Sequence, residues 1–294
     1  MAIVEDEALV LRSMRYRDTS RIAILLTRHF GKVHIIAKGA RDPKSPFGAA
    51  LDVLTLTHVV FYLKKNRTLH LLKAASVEQV YLATLSAPGA YHIASAALEF
   101  LQKVLADEDP CPAIFDALKR FLEGCESDPR NPRVEARLKA FQLHTVSLLG
   151  YAPMLEQCVH CGGSVDDYAG FGVIAGGLVC RKCATQDPER LRLLPVSAET
   201  LRRLRATLAQ QGSSQQLEDR PERDGEGTVE LGAKGHVERG AKGHVEREEQ
   251  GAAELDREMT AIVESFLRYH VTGYQGLRSL RSLSQWQKLR SQGR

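Results

Sequence analysis

Apolar and polar residues alternate with a period of two through the first part of the chain. Five short runs have this β-strand character, and Phe30-Gly31-Lys32 separates two of them as a hairpin turn. The runs cover about Leu9–Tyr16, Arg21–Phe30, Lys32–Ala37, Leu54–Leu63 and Arg67–Ala75. Five strands in about 70 residues predict a small closed barrel with Greek-key order, that is, an OB-fold. We assign residues 1–80 to this N-terminal domain of an α+β multidomain chain.

The period changes at Pro88, where apolar residues begin to recur every three or four positions. Amphipathic stripes follow in residues 91–105, 114–125 and 134–149, and Gly150 is expected to cap the third helix. Such stripes must be buried against one another, which predicts a helical bundle; a groove for a partner peptide is the alternative.

Two further amphipathic helices are predicted closer to the C-terminus. One begins after Ser197, which is a suitable N-cap, and the other runs from Leu255 to about Gly273. The basic segment that follows, Gly276–Arg294, fits either a second basic surface or a frayed tail. The helical domain predicted in this way comprises residues 81–155, 192–211 and 255–294.

Residues 212–254 interrupt the helical pattern. They show no apolar periodicity, and Gly232–Arg239 and Gly240–Arg247 are identical copies of Gly-Ala-Lys-Gly-His-Val-Glu-Arg. Two polar copies are too few to stack as a repeat protein, so we predict a disordered acidic repeat insertion that expanded by duplication. Because duplication explains the spacing of His236 and His244, these histidines do not indicate a metal site.

Two Cys-x-x-Cys pairs, Cys158/Cys161 and Cys180/Cys183, form the most specific chemical motif of the sequence. Four thiolates on two facing turns are a ligand set for structural zinc, which they bind at about 2.3 Å in tetrahedral geometry. We predict a four-cysteine zinc finger at residues 156–191, with a short β-hairpin between the pairs. Four protein ligands leave no open coordination position, so the predicted role of Zn²⁺ is structural. A redox dithiol, a disulfide, and the histidine of the first pair as a substitute ligand are the alternatives.

The composition is that of an ordinary globular protein, with 294 residues of which 44% are apolar. No apolar run approaches the roughly 20 residues of a membrane span, and the residues before Arg21 carry charges throughout, unlike a secretory signal. We therefore expect a cytoplasmic, nucleoid-associated protein without a membrane partner. The remaining cysteines, Cys111 and Cys125, fall in a helical region and fit a reducing compartment.

Positive charge is concentrated near the N-terminus, although the net charge is only +4. Residues 11–75 contain 13 Lys/Arg and 3 Asp/Glu, a balance of +10, whereas residues 212–258 contain 7 and 13, a balance of −6. The basic loop Lys38–Gly48 follows the third strand, and such a loop beside a small barrel is typical of single-stranded nucleic-acid binding. The residues that we predict to contact DNA are Arg15, Arg17, Arg21, Lys32, Lys38, Arg41, Lys44, Lys64, Lys65 and Arg67. Each of them alone is equally typical of an ordinary protein surface.

The order of these parts resembles that of the bacterial RecO family of DNA repair and recombination mediators. The matching residues are Tyr16–Arg21, Leu26-Thr27 followed by Gly31, Ala37–Arg41 with Lys44-Ser45, and Leu149–Pro153 leading into Cys158–Gly162. Asp18 stands where this family more often has glutamate, a difference that preserves the charge. The resemblance covers nearly all of the chain except about residues 212–254.

This resemblance implies a non-catalytic function in the recombinational repair of DNA damage. RecO proteins bind single- and double-stranded DNA, anneal complementary strands, and act with RecR to load RecA onto strands coated by the single-stranded DNA-binding protein. The family therefore implies DNA, RecR and the single-stranded DNA-binding protein as partners, with RecF and RecA as indirect ones. It also implies an OB-fold and a helical domain with an embedded zinc finger, in which zinc is a scaffold.

Two other function classes are compatible with the composition. A nucleic-acid-processing enzyme is disfavoured, because the sequence lacks paired carboxylates at a metal-site spacing, a Gly-x-x-x-x-Gly-Lys-Ser/Thr phosphate loop and a His-Glu-x-x-His motif. A zinc-stabilised adaptor, whose basic barrel binds an acidic protein partner, remains open. A salt-dependent strand-annealing assay distinguishes both from a DNA-binding mediator.

Overall fold

The structure is a computed structural model that describes residues 2–64, 67–131, 134–186, 192–212, 242–280 and 282. The chain divides into two compact units, one made of Met1–Ala152 with Leu267–Arg294 and the other of Pro153–Phe266. Within the described ranges, no helix is long and apolar enough to cross a membrane. The finer division into barrel, helical domain, zinc finger and insertion stays a prediction.

The first unit begins with a closed five-stranded barrel, as predicted. Its strands are β1 (Ala2–Tyr16), β2 (Ser20–Thr27), β3 (Gly31–Ala37), β4 (Thr55–Leu63) and β5 (Leu69–Val80). They close in the order β1-β2-β3-β5-β4. The ladders of the barrel are antiparallel except that between β3 and β5, which is parallel and has three residue pairs. This strand order is that of an OB-like Greek key.

Strand β1 begins at Ala2, before the predicted Leu9, and it includes a buried carboxylate that the sequence pattern did not reveal. Asp6 is only 6% exposed. Its carboxylate accepts hydrogen bonds from the backbone N–H groups of Glu7 (2.9 Å) and His29 (2.7 Å), and one oxygen lies 2.8 Å from Nδ1 of His29. These hydrogen bonds replace the ones that the carboxylate would make with water, so a charged residue is tolerated within the strand.

The barrel core takes one residue in two from each strand. On β3, Val33, Ile35 and Ala37 are fully buried, which confirms the predicted alternation for this face. Ala40 and Phe47 also belong to the core, although the sequence placed them in a flexible loop. A 3-10 helix at Gly48–Leu51 continues this inward turn of the chain. The segment after β3 is therefore partly a structural element that fills the barrel.

Four helices follow the barrel: α1 (Leu82–Ser86), α2 (Pro88–Val104), α3 (Pro112–Ser127) and α4 (Val134–Leu148). Their apolar stripes pack on one another as predicted. The ring centroids of Phe121 and Phe141 lie 4.9 Å apart, and those of Phe100 and Phe141 lie 6.4 Å apart. Gly150 ends α4 in the left-handed region at φ +86°, and the N–H of Tyr151 donates to the carbonyl of Val146 (2.8 Å), which confirms the predicted cap.

The second unit contains a small sheet and further helices. The sheet has the strand order β7-β6-β8, formed by β6 (Tyr168–Gly172), β7 (Gly177–Cys180) and β8 (Leu193–Leu194). The helices are α5 (Arg181–Ala184), α6 (Ala198–Gly212) and α7 (Lys242–His270), of which α7 continues into the first unit. Ser197 is the N-cap of α6 as predicted, because its Oγ accepts from the N–H of Thr200 (3.1 Å).

Helix α7 begins at Lys242, well before the predicted start at Leu255. Residues 242–254, which include most of the second repeat copy, therefore lie in this helix, and the disordered insertion stays a prediction. This stretch lacks proline and contains four Glu and two Ala, which favour helix without an apolar stripe. The first repeat copy and the rest of residues 213–241 lie outside the described residues.

Candidate metal centre and nucleic-acid interface

The first cysteine pair sits on a tight turn that the local sequence dictates. The N–H of Gly162 donates to the carbonyl of Cys158 (2.8 Å), and the N–H of Cys158 donates to the carbonyl of Gly163 (2.9 Å). Gly162 adopts φ +70°, a left-handed conformation that glycine adopts without strain. The turn brings Cys158 and Cys161 to the same side of the chain.

The second pair follows the predicted hairpin, which the structure confirms as β6 and β7. Cys180 ends β7, and Cys183 lies in the short helix α5 directly after it. Gly177 allows the close approach of a neighbouring segment, since a Cβ on it would lie 2.5 Å from the carbonyl oxygen of Met154. The hydrogen bond from Leu178 N–H to that same oxygen (2.9 Å) fixes the hairpin beside the first pair.

The four thiols come together as a metal-binding cluster. The Sγ atoms of Cys158, Cys161, Cys180 and Cys183 all lie within 4.8 Å of one another. A tetrahedral site with Zn–S bonds of about 2.3 Å requires sulfur atoms about 3.8 Å apart. The Sγ atoms of Cys161 and Cys180 are separated by 3.8 Å. The residues therefore fit zinc in both donor type and spacing, and His160 is exposed and outside the cluster.

The surroundings of the cluster favour the thiolate form of Cys158. Burial raises the pKa of Cys158, but hydrogen bonds from the backbone N–H groups of Cys180, Cys161 and His160 outweigh it and lower that pKa to about 6. Hydrogen bonds to the thiols of Cys180 and Cys161 raise the pKa of Cys183 to about 12. Zinc binds thiolates and so competes with these protons, which makes affinity for the metal dependent on pH.

A basic groove lies on the outer face of the barrel, where β3 and β5 meet. It has a volume of about 560 Å³ and is lined by Ile36, Lys38, Lys64, Arg67, Thr68, Leu69 and Leu71. Ile36 pairs with Leu71 in the parallel β3–β5 ladder, which puts aliphatic side chains between the cations. We call this feature the β3–β5 groove. It brings together three of the predicted DNA contacts, and a fourth, Lys65, lies outside the described residues.

Two of the other predicted cations are engaged by the barrel itself. Arg41 donates from one guanidinium nitrogen to the carbonyls of Arg17 (3.1 Å) and Asp18 (2.7 Å), so it fixes the loop after β3 to the β1–β2 turn. Arg21 forms an ion pair with Asp52 at 2.6 Å. A guanidinium has five N–H donors, so Arg41 retains donors for a phosphate, whereas the charge of Arg21 is already compensated.

Lys32 is not part of the exposed cationic surface. It is only 9% exposed, and its Nζ lies 2.6 Å from the carbonyl of Leu105, 3.1 Å from that of Gln102 and 3.1 Å from the carboxylate of Asp107. Its predicted contact with DNA is therefore incompatible with its position. The sequence missed this because alternation places Lys32 on the outer face of β3 but does not show that the chain after α2 covers it.

The remaining predicted cations are exposed but are not among the residues that line the β3–β5 groove. They are Arg15, Arg17 and Lys44. Arg17 lies over the ring of Tyr16, with its guanidinium carbon 5.3 Å from the ring centroid. Thr68 and the aliphatic floor of the groove were not predicted from the sequence. The signal for the floor was present in β3, where Ile36 occupies an outward position between His34 and Lys38.

Comparison with known protein families agrees with this architecture. Residues 1–81 match the family model described as recombination protein O N terminal, which spans the barrel. Residues 85–244 match the model described as recombination protein O C terminal, which begins at the first helices and includes the four cysteines. The chain belongs to the RecO family.

Curated relatives carry the same family name across distant bacteria. The chain is 30% identical to the DNA repair protein RecO of Symbiobacterium thermophilum over 207 residues, which cover 69% of this chain and 80% of the relative. It is 32% identical to that of Anaeromyxobacter sp. strain K over 199 residues, 67% of this chain and 76% of the relative. The Thermobifida fusca protein is 34% identical over 185 residues, 62% of this chain and 74% of the relative. The expected RecO resemblance is confirmed.

Proposed function

We propose that this RecO-family chain is a non-catalytic DNA-binding mediator of recombinational repair. It binds single- and double-stranded DNA through the exposed basic side of its barrel and anneals complementary strands. With RecR it assists the loading of RecA onto strands coated by the single-stranded DNA-binding protein. The four cysteines hold a structural zinc ion that stabilises the second unit.

The observation that carries this proposal is the composition of the β3–β5 groove. Lys38, Lys64 and Arg67 surround a floor of aliphatic side chains. Cations neutralise phosphates, and an apolar surface accepts the face of an unpaired base or a sugar. The described lining contains no aromatic ring, so the groove offers little discrimination between bases, as a sequence-independent mediator requires.

Annealing follows from the same chemistry. Two DNA strands repel each other through their phosphates, and a protein that neutralises both backbones lowers the barrier to pairing. The groove binds the backbone and leaves the hydrogen-bonding edges of most bases unused. The exposed cations Arg15, Arg17 and Lys44 provide further positive charge outside the groove for a second strand.

The test is a charge reversal of the groove, Lys38→Glu with Lys64→Glu and Arg67→Glu, measured by fluorescence anisotropy with labelled oligonucleotides across a salt series. Three phosphate contacts contribute about 2 units to the slope of log affinity against log salt concentration. This slope corresponds to a roughly twentyfold loss of affinity when the salt is raised from about 50 to about 200 mM. We expect the variant to lose affinity for all sequences and to show a correspondingly shallower slope. Strand annealing should slow in parallel.

The matched control reverses three exposed cations that are not among the residues lining the groove, Arg120→Glu, Arg130→Glu and Arg192→Glu. Both variants change the net charge by the same amount, so a long-range charge effect would weaken them equally. Equal losses, or an unchanged salt slope in the groove variant, would contradict the proposed interface. Retained binding of an acidic protein ligand together with no binding of DNA would favour the adaptor function instead.

A further inference from the structure

An acidic segment covers the beginning of β3, beside the groove. Asp107 bridges to Lys32 in parallel strand fashion, and the N–H of Glu108 donates to the carbonyl of Lys32 (2.9 Å). The backbone of Asp109 packs directly on Gly31, since a Cβ at position 31 would lie 2.3 Å from the carbonyl oxygen of Asp109. Asp107, Glu108 and Asp109 are therefore held against β3 by backbone contacts, and we call them the acidic segment.

The side chains of Asp107 and Glu108 in the acidic segment are also held in place by specific partners. One oxygen of Asp107 lies 3.1 Å from Nζ of Lys32 and 3.3 Å from Nε2 of His34. The carboxylate of Glu108 lies 2.9 Å from Nε2 of the fully buried His70. Both carboxylates nevertheless remain about two-fifths exposed, at 43% and 42%. Lys32, which pairs with Asp107, is only 9% exposed, so the two carboxylates are charged groups that this segment presents to solvent.

Opposite charges consequently divide the outer face of one short strand. Its first two outward positions, Lys32 and His34, face the acidic segment. Its last outward position, Ile36, lines the groove together with Lys38, which directly follows β3. Asp107 contacts His34, and His34 pairs with Leu69 in the β3–β5 ladder. Because Leu69 lines the groove, a single residue pair separates the carboxylate of Asp107 from the groove. From His34 to Lys38 the strand rises only about 13 Å, close to the screening length of about 10 Å at 0.1 M salt.

We infer that Asp107 and Glu108 form a negative boundary that ends the nucleic-acid path on β3 and limits the length of single strand held there. This inference rests on the proposed function of the β3–β5 groove. A phosphate backbone that enters beside Lys38 meets fixed carboxylates if it continues toward His34, and repulsion directs it off the strand. The boundary is a specificity element, because it sets how many nucleotides the barrel covers.

Neutral isosteres test the boundary without removing its hydrogen bonds. Asp107→Asn and Glu108→Gln keep an oxygen acceptor for Lys32 and for His70, and Lys32 also keeps its two carbonyl partners. With the charge removed, a strand can continue past His34 and gain at least one phosphate contact. One such contact steepens the logarithmic salt slope by about 0.7 and is worth roughly threefold in affinity between about 200 and about 50 mM salt.

The measurement compares poly-dT oligonucleotides of about 5 and about 20 nucleotides, lengths that bracket the site sizes of single OB-folds. We expect the double variant to bind the longer oligonucleotide at least about threefold more tightly and with a steeper salt slope, and to bind the shorter one as the parent does. The control, Glu123→Gln with Glu135→Gln, removes two exposed charges from α3 and α4. Asp107→Asn alone serves as a second variant and should show a smaller gain in the same direction.

The outcomes separate the boundary from the groove. If the groove charge reversal weakens binding but the double variant gains nothing with the longer oligonucleotide, or gains equally with both lengths, the boundary is wrong and the groove stands. If the groove charge reversal has no effect, the proposed function fails and the boundary fails with it. A gain of the same size in the Glu123/Glu135 control would show a general charge effect and overturn the boundary as well.

Discussion

The barrel and the cysteine cluster stabilise themselves by different physical means. The barrel closes on itself and buries apolar residues from all of its strands, with Val59 and Phe61 among those that are fully buried. The sheet beside the cysteines has strands of five, four and two residues, too short to enclose a core of comparable size. Under the proposed function, a metal ion held by the four thiols takes the place of a core there. The first region would then be stabilised by area removed from water, and the second by a bound ion.

This difference determines where a binding surface can be placed. A metal-dependent module uses its most reactive side chains for its own folding and has no open coordination position for chemistry. A barrel that is stable through its interior leaves its outer face free to vary, and the β3–β5 groove lies on that face. The chain thus separates the part that stabilises from the part that binds.

Metal removal should give the largest effect and tests the comparison directly. Structural zinc contributes about 10–16 kcal/mol in small zinc-binding peptides, more than so small a sheet can replace. We expect a strong chelator to abolish hydrogen-exchange protection in peptides from about residues 155–184 and to leave protection in β1–β5 unchanged. Metal content by mass spectrometry checks that the ion was bound and then lost.

Cys180→Ser provides the matched variant, since it removes one buried sulfur ligand from the cluster and changes no residue of the barrel. It should reproduce the pattern of the chelator at lower metal content. Loss of hydrogen-exchange protection in the barrel together with the cysteine module, or no change in either region, would contradict the comparison. In either case the cysteine module would not depend on a metal ion independently of the barrel.

A cavity in the barrel should give the next largest effect. Phe61 is fully buried in the barrel core. Its ring packs edge-to-face with that of Phe30, and the two ring centroids lie 5.8 Å apart. Replacement of Phe61 by Ala should lower the free energy of unfolding by about 3–5 kcal/mol. Urea denaturation followed by circular dichroism measures this. Val77→Ala, at a position in β5 that is 43% exposed, should change stability by no more than about 0.5 kcal/mol.

A helix cap supplied from another helix should give a smaller effect that depends on pH. The carboxylate of Glu126 accepts hydrogen bonds from the N–H groups of Ala83 (2.8 Å) and Thr84 (2.9 Å) at the start of α1. Burial alone would raise the pKa of Glu126, but these bonds lower it below its usual value of 4.5. Glu126→Ala should cost about 1 kcal/mol at neutral pH.

The pH dependence of this cost follows from the sign of the shift. A lowered pKa means that the carboxylate stabilises the fold above pH 4.5 and that this contribution is lost as the pH falls through the lower, folded-state pKa. The difference between parent and Glu126→Ala should therefore shrink below pH 4.5. Unfolding midpoints at several pH values measure it, and Glu123→Ala, which removes an exposed side chain from the same helix, is the matched control. A constant difference across pH would show that the carboxylate is not the cause.

The sequence predicted those features whose signal is local. The four cysteines are a motif within 26 residues, from Cys158 to Cys183, and a predicted strand-like run overlaps each strand of the barrel. The cations gave a weaker signal, because Lys, Arg and their spacing do not show which of them share a surface. The structure brings Lys38 together with Lys64 and Arg67 through the β3–β5 ladder, a contact between segments far apart in sequence.

Burial of charge was the least predictable property. Lys32 occupies an outward position on β3, and its sequence neighbours give no sign that carbonyls at the end of α2 and the carboxylate of Asp107 surround it. Asp6 is hidden in the same way by partners near residue 29. Compensation of a buried charge depends on tertiary contacts, and a sequence pattern does not contain them.

The β3–β5 ladder has only three residue pairs, from His34–Leu69 to Ile36–Leu71, yet it joins the two ends of the barrel sheet. Of the strand pairings in the barrel it has the fewest residue pairs, and the groove lies beside it. A DNA strand that contacts both β3 and β5 opposes the separation of these strands, so binding in the groove would also stabilise the closed barrel. The barrel should accordingly melt at a higher temperature with oligonucleotide than without, and the added protection should be greatest at these pairs.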